Sequence, residues 1–215
     1  DMLVHRDPAT FELKPALATD WKFTDDTTLD LTIRQGVKFH DGSTLTPDDV
    51  VYTINMAANP DSKVAVPSNY AWIDKAEKTG DYSVRILMKK PTPAALEYLA
   101  MVTPIHPKAY REKVGHEEFA KNPIGAGPYK LRQFDPNIKT ITTRFEGYWN
   151  GLGQRPAGFE HHYVPDGRAR LNALRSGQAN IALIDPKQIP EAKSAGLALQ
   201  IVHKNALWDI YPNIK

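Results

Sequence analysis

Thr28-Leu-Asp-Leu-Thr-Ile33, Val37-Lys-Phe-His-Asp-Gly42 and Thr46-Pro-Asp-Asp-Val-Val-Tyr-Thr-Ile54 follow one another within thirty residues, and their change of rhythm sets the fold class. In the first run every second residue is apolar, the period of a half-buried strand. Trp21-Lys-Phe23 carries the same alternation, with Asp25-Asp26 between as turn formers, so a β-hairpin is predicted. Val37-Lys-Phe39 repeats the pattern and stops at Asp41-Gly42, where glycine supplies the positive φ of a tight turn. A helix should follow. Thr46 suits an N-cap and Pro47 the first helical position, and Asp48 and Asp49 place negative charge beside the free N–H groups of the first turn. Val50, Ile54, Ala57 and Ala58 then share a face, and Asn59-Pro60 ends the helix because proline disfavours helical geometry in the residue before it.

The same reading extends outward. Tyr70 to Lys78 and Tyr82 to Leu87 read as a second hairpin around Thr79-Gly-Asp81. Thr92-Pro93 opens a short helix through Leu96 and Leu99, Pro104 and Pro107 bracket a loop, and another short helix is expected around Ala109 to Lys113. Paired strands are expected at Tyr129 to Phe134 and Thr140 to Phe145, and a further strand at Phe159 to Val164 after an irregular Gly-rich segment. Ala169 to Ser176 should be helical with Gly177 as its stop. Ile181 to Ile184 and Leu197 to Val202 flank a helix begun by Pro186, which gives the βαβ rhythm of an α/β sheet. The class expected is α/β in a mixed α+β arrangement, without internal repeats.

Composition narrows function. Across 215 residues, 27 Lys+Arg oppose 25 Asp+Glu, for a net charge of +2, and 41% of the residues are apolar, enough for a core that needs no staple. The absence of cysteine excludes thiol catalysis, CxxC redox chemistry and Cys-based zinc sites. No run approaches a membrane span, and no basic-apolar-small leader precedes Asp1, so neither a transmembrane helix nor a signal peptide is expected in this sequence. The densest basic stretch, Lys130 to Arg175, is too dilute to track phosphates, so nucleic acid is not an expected partner.

Several residues invite chemical readings that their context weakens. Gly125-Ala-Gly127 precedes Pro128, which has no N–H, and then a strand, whereas a phosphate cradle needs a helix N-terminus; Gly151-Leu-Gly153 fails in the same way. His161 and His162, adjacent on a strand, point to opposite faces and cannot share a metal ion without a bulge. His40-Asp41 suggests a catalytic dyad, but Asp41 is explained as a turn residue and no serine is placed to be activated. Arg168 and Arg170 lean opposite ways near a helix start, which leaves at least one on a solvated face. No catalytic residue, metal ligand or cofactor is expected.

Six segments together carry a family likeness. Leu13-Lys-Pro-Ala-Leu-Ala-Thr-Asp-Trp21 leading into Ile33-Arg-Gln-Gly-Val-Lys-Phe-His-Asp-Gly42, then Thr46 to Ile54, Pro104-Ile-His-Pro-Lys108, Asn122-Pro-Ile-Gly-Ala-Gly-Pro-Tyr129 and Asp166-Gly-Arg-Ala-Arg-Leu-Asn-Ala-Leu-Arg-Ser-Gly177 occur in order. Each is weak alone, but together the chain resembles the family 5 extracellular solute-binding proteins, receptors of ABC importers for peptides and nickel. Members of that family are longer, so the chain is expected to be a fragment. The resemblance implies an incomplete lobe of the type II periplasmic-binding-protein kind, with residues 1–108 as a smaller β-rich subdomain, 109–215 as much of a larger α/β subdomain, and the second lobe absent. It further implies a small-molecule or peptide ligand, an ABC permease as membrane partner, a monomeric native receptor, and a periplasmic or extracytoplasmic location, as a cell-surface lipoprotein in a Gram-positive organism. By resemblance the cleft is lined by the segment Val66 to Trp72, including Tyr70 and Trp72, by Arg168, by the loop after Ile184 with Asp185, and by Asn205 to Trp208. Trp208 also fits a buried or lobe-interface position. Two alternatives stand beside transport: a hydrolase built on an unrecognised acid and histidine site, and a peptide-holding chaperone on the same fold.

Overall fold

The computed structural model describes residues 1–200. The chain divides into two compact units, Asp1–His161 and His162–Lys215.

Unit 1 is built on a four-stranded sheet of β3 (Ala18–Asp25), β4 (Thr28–Ile33), β5 (Ile73–Gly80) and β6 (Ser83–Met88), in the order β3-β4-β6-β5 with every neighbour antiparallel. Both predicted hairpins are present, the second displaced because Pro67–Asn69 form a 3₁₀ turn and the strand begins only at Ile73. The alternation in β4 does what its period requires: Leu29, Leu31 and Ile33 are buried, and so are Val84, Ile86 and Met88 of β6. The register sets Leu29 against Ile86 and Leu31 against Val84. On the other face Asp30 stands opposite Arg85, whose Nε and Nη2 donate to the two carboxylate oxygens at 2.7 and 2.9 Å. A one-residue slip would bring the charged pair into the core, so the pattern fixes the register.

Helix α1 (Pro47–Ala58) lays Val50 and Ile54 on the sheet, as its apolar face predicts, and buries Ala57 as well. The side chain of Asn55 clamps it to β5, donating from Nδ2 to the carbonyl of Ala76 at 2.9 Å and accepting from the Ala76 N–H at 2.7 Å. Two further short helices follow the sheet, α2 (Ala95–Met101) and α3 (Lys108–Lys121). The expected helix at Ala109 to Lys113 is therefore only the first third of α3, which kinks at Gly115, where φ is +78°. A small hairpin of β1 (Val4–Arg6) and β2 (Leu13–Pro15) was not predicted; three-residue strands are too short to show a period. Val37 to Phe39 is no strand, since Lys38 makes only an isolated bridge to Thr44 across the turn at Gly42.

A second sheet has the order β7 (Tyr129–Asp135), β8 (Lys139–Arg144), β9 (Gly158–His162), with β7 and β8 antiparallel as predicted. In unit 2, α4 (Gly167–Arg175) begins at an Asp166 cap whose carboxylate accepts from the Ala169 N–H at 2.7 Å, and α5 (Ile189–Ser194) follows a 3₁₀ turn at Pro186–Gln188. The expected strand at Ile181 to Ile184 does not form: Ile181 and Leu183 are 87% and 86% exposed, and the Leu183 carbonyl is taken by the Arg170 side chain at 2.6 Å. A strand needs a neighbouring edge to satisfy its backbone, and among the described residues this run pairs with none. Residues 197–200 are likewise irregular, and the rest of the predicted run to Val202 lies outside the described residues. The βαβ unit is therefore not seen; the mixed α/β class is.

Candidate functional site

Four of the sequence motifs fasten one another in two pairs inside unit 1. Asp49 is the hub of the first junction. Its Oδ2 accepts from the backbone N–H of Thr46 at 2.8 Å and from the Thr46 hydroxyl at 2.9 Å, while Oδ1 accepts from the Lys108 N–H at 2.8 Å. One turn on, the Thr53 hydroxyl donates to the Asp49 carbonyl at 2.7 Å and accepts from the His106 N–H at 3.0 Å. The α1 motif thereby holds the Pro104 to Lys108 motif by its backbone. Both Asp49 and Thr53 are buried, where a lost partner is costly.

His40 makes the second junction. The Gly125 N–H donates to Nδ1 at 3.3 Å, which requires the tautomer protonated on Nε2, and Nε2 donates to the Gly127 carbonyl at 2.9 Å. The His40 N–H donates to the Gly125 carbonyl at 2.9 Å, and the Phe145 ring meets the imidazole edge-on at 5.1 Å between centroids. Burial pushes this imidazole below its ordinary pKa, consistent with a neutral ring whose two nitrogens are spent on backbone. Asp41 accepts from both the N–H and the hydroxyl of Ser43 at 3.0 and 2.6 Å, as a turn residue does. The Gly125 to Gly127 segment is thus a docking loop for His40.

The Val66 to Trp72 segment separates into two roles. Tyr70 borders a hollow of about 360 Å³ between α1 and residues 102–106, and its hydroxyl donates to the Val102 carbonyl. Trp72 turns the other way: it is only 6% exposed, stacks on Tyr98 at 6.0 Å and donates from Nε1 to the Asn69 carbonyl at 2.9 Å. His106 borders the same hollow as Tyr70. Its ring packs on Phe119 at 4.7 Å, its Nδ1 is buried without a partner, and burial, aided by the Arg111 charge, lowers its pKa to about 4. Sequence reasoning passed over His106, although a histidine enclosed by Pro104 and Pro107 has a backbone fixed enough to hold an imidazole in one place. A second hollow of about 340 Å³ lies at the start of α1, bordered by Asp41, Asp48 and Glu112; Asp48 pairs there with Lys78 at 3.0 Å. Among the described residues no three His, Asp or Glu side chains converge as a metal site.

In unit 2, Arg168 is exposed, whereas its neighbour Arg170 is a structural clamp. The Arg170 guanidinium donates to the carbonyls of Leu183, Val164 and Pro165 at 2.6, 2.9 and 2.7 Å. Ile184 is half-buried beside Asp185, whose N–H donates to Gln188 Oε1 at 2.9 Å; Gln188 in turn donates to the Gly167 carbonyl at 3.0 Å. These contacts hold the loop after Ile184 to the start of α4. Asn205 and Trp208 lie outside the described residues.

Comparison with solved structures places this fold among the type II periplasmic binding proteins. NikZ from Campylobacter jejuni, in complex with Ni(L-His), superimposes with a TM-score of 0.82 at 28% identity over 89% of this chain and 39% of that chain. The oligopeptide-binding protein AppA from Bacillus subtilis, in complex with a nonapeptide, does so with a TM-score of 0.78 at 29% identity over 90% of this chain and 39% of that chain. Residues 12–211 match the family described as bacterial extracellular solute-binding proteins, family 5 Middle, and the chain belongs to that family. The glutathione-binding protein GsiB of Salmonella paratyphi A (strain ATCC 9150 / SARB42) is 27% identical over 206 residues, which cover 93% of this chain and 39% of that relative. The chain therefore spans about two fifths of the length of the curated relatives it matches. Among the described residues no helix is long and apolar enough to cross a membrane.

Proposed function

We propose that this chain is part of the substrate-binding component of an ABC-type importer, which captures a peptide or similar small solute outside the cytoplasmic membrane and delivers it to a membrane permease. The family match over residues 12–211 carries this reading. The chain forms much of one lobe, with residues 1–108 as its smaller β-rich subdomain, and the solute is enclosed when a second lobe closes on it. The receptor works as a monomer and performs no covalent chemistry; in a Gram-positive organism a lipid anchor holds it at the cell surface.

The ligand faces Tyr70, Arg168, Ile184, Asp185, Asn205 and Trp208, with Trp72, buried against Tyr98 and bonded to the Asn69 carbonyl, holding the segment from within. What favours this assignment is that Tyr70 borders a hollow and that Arg168 stays exposed while Arg170 does the structural bonding. The hydrolase alternative draws less support, because both nitrogens of His40 and the carboxylate of Asp41 are already bonded within the fold. The test uses the full-length protein. Mass spectrometry of what co-purifies, then equilibrium titration with glutathione, a nonapeptide and Ni(L-His), should find one solute bound saturably and recovered unchanged. Conversion of the solute to products would reject the transport reading.

A further inference from the structure

Three times in the chain an Asp or Asn is followed by glycine, and the fold treats one of these pairs unlike the others. In Asp41-Gly42 the carboxylate accepts from the Ser43 N–H at 3.0 Å and its hydroxyl at 2.6 Å, and the Gly42 N–H donates to the Phe39 carbonyl at 2.9 Å. In Asp166-Gly167 the carboxylate caps α4, accepting from the Ala169 N–H at 2.7 Å, and the glycine is the first residue of that helix. Both side chains are engaged, and a carboxylate carries no good leaving group. Asn150-Gly151 differs on each count. Its side chain is an amide on an exposed turn, in contact with the neutral Tyr148 hydroxyl. The Gly151 N–H donates to the Tyr148 carbonyl at 3.3 Å, longer than an ordinary N–H···O bond. Gly151 is itself exposed at a φ of +66°, with no heavy atom within 4 Å of where a side chain would start. Arg155 anchors the glycine from its far side, donating to the Gly151 and Leu152 carbonyls at 2.9 and 3.1 Å, and leaves the nitrogen open.

We propose that Asn150 is a site of spontaneous covalent modification, deamidated through a cyclic imide formed with the backbone nitrogen of Gly151. That nitrogen gives its proton to water and bonds to Asn150 Cγ; the Cγ–Nδ2 bond breaks and the side-chain nitrogen leaves as ammonia. Water then opens the imide. Breaking the Cγ–N bond leaves aspartate, and breaking the bond from the main-chain carbonyl carbon leaves isoaspartate, with no change of oxidation state and no reagent beyond water. Glycine is what lets the nitrogen close on Cγ, since any other residue sets a Cβ beside it. The product matters to the fold because isoaspartate lengthens the main chain by a methylene directly after Trp149. That indole packs against the core, donates from Nε1 to the Asp1 carboxylate at 2.7 Å and carries the Arg34 guanidinium 4.3 Å above its ring. A sample enriched in isoaspartate should therefore melt below the fresh protein.

The experiment holds the full-length protein in heavy-oxygen water near neutral pH beside a free peptide of residues 147–160. Cleavage of the protein at glutamate releases that same segment, in which Asn150 is the sole asparagine, for tandem mass spectrometry. The segment should acquire a carboxylate at residue 150 that carries heavy oxygen, as a mixture of isoaspartate and aspartate. Asn55, whose amide is tied to both backbone groups of Ala76, should keep its nitrogen. Gly151→Ala, checked by its melting curve, should slow the conversion about tenfold. Asn150→Gln, a change at an exposed side chain, should abolish it, because the longer side chain closes the ring poorly. If the free peptide converts while the folded protein keeps its amide, the turn protects Asn150 and the proposal is overturned. Aspartate appearing without isoaspartate overturns it as well, since that is direct hydrolysis and not an imide.

Discussion

Replacing Asp49 should damage this chain more than any other single change at the start of α1. The carboxylate is 8% exposed and receives three hydrogen bonds of 2.8 to 2.9 Å, two of them from the backbone N–H groups of Thr46 and Lys108. Asp49→Ala leaves both donors without a partner at about 1–3 kcal/mol each, and the small cavity adds to this, so a loss of about 3–5 kcal/mol is expected. Asp49→Asn keeps one carbonyl oxygen but turns an NH₂ toward a donor, and should cost about half as much. Thr46→Ala removes only the hydroxyl bond and should cost about 1 kcal/mol. The assay is urea unfolding monitored by tryptophan fluorescence and far-UV circular dichroism, with the slope checked for constancy. If Asp49→Ala costs less than Thr46→Ala, Asp49 is not the hub of the junction, and the reasoning fails.

Three further outcomes are expected. His106 has a folded-state pKa near 4 against 6.5 in the unfolded chain, so the unfolded state takes up a proton first. The stability it contributes is present above pH 6.5 and lost as pH falls toward 4, by about 3 kcal/mol in all; His106→Gln should flatten that part of the pH–stability curve, and an unchanged slope would contradict the assignment. Arg170→Met should speed hydrogen exchange through residues 181–185, because three carbonyls lose their donor, whereas Arg168→Met should leave exchange there unaltered. Trp208→Ala in the full-length protein should weaken solute binding with little effect on the melting curve, and unaltered affinity would remove it from the site.

What could be read from the sequence follows from what is local. The Leu29-Leu31-Ile33 alternation and the Thr46-Pro47 start are written into adjacent residues, and β4 and α1 stand where those signals put them. The bonds that join motifs are not local. Asp49 reads as a helix-dipole residue, yet one of its oxygens serves a backbone 59 positions away, and the sequence, which argues against a catalytic His40, does not show that Gly125 and Gly127 occupy its ring. Ile181 to Ile184 shows the opposite failure: its apolar run satisfies strand propensity, but pairing requires an edge that propensity cannot supply. At the candidate site, the sequence names Tyr70 and Trp72 together, and only the fold shows that one borders a hollow while the other is buried against Tyr98. His106 escaped notice because its distinguishing feature, an unpartnered buried nitrogen, exists only after folding.

The central claim is that this chain supplies one wall of a cleft that closes around a solute. Titration calorimetry tests it most directly, comparing the full-length protein with residues 1–215 against whichever of glutathione, a nonapeptide or Ni(L-His) the full-length protein binds. One wall leaves most of the ligand in water and cannot draw on closure, so the isolated chain should bind about a hundredfold more weakly or not measurably. Equal affinities would place recognition wholly within these residues and contradict the account.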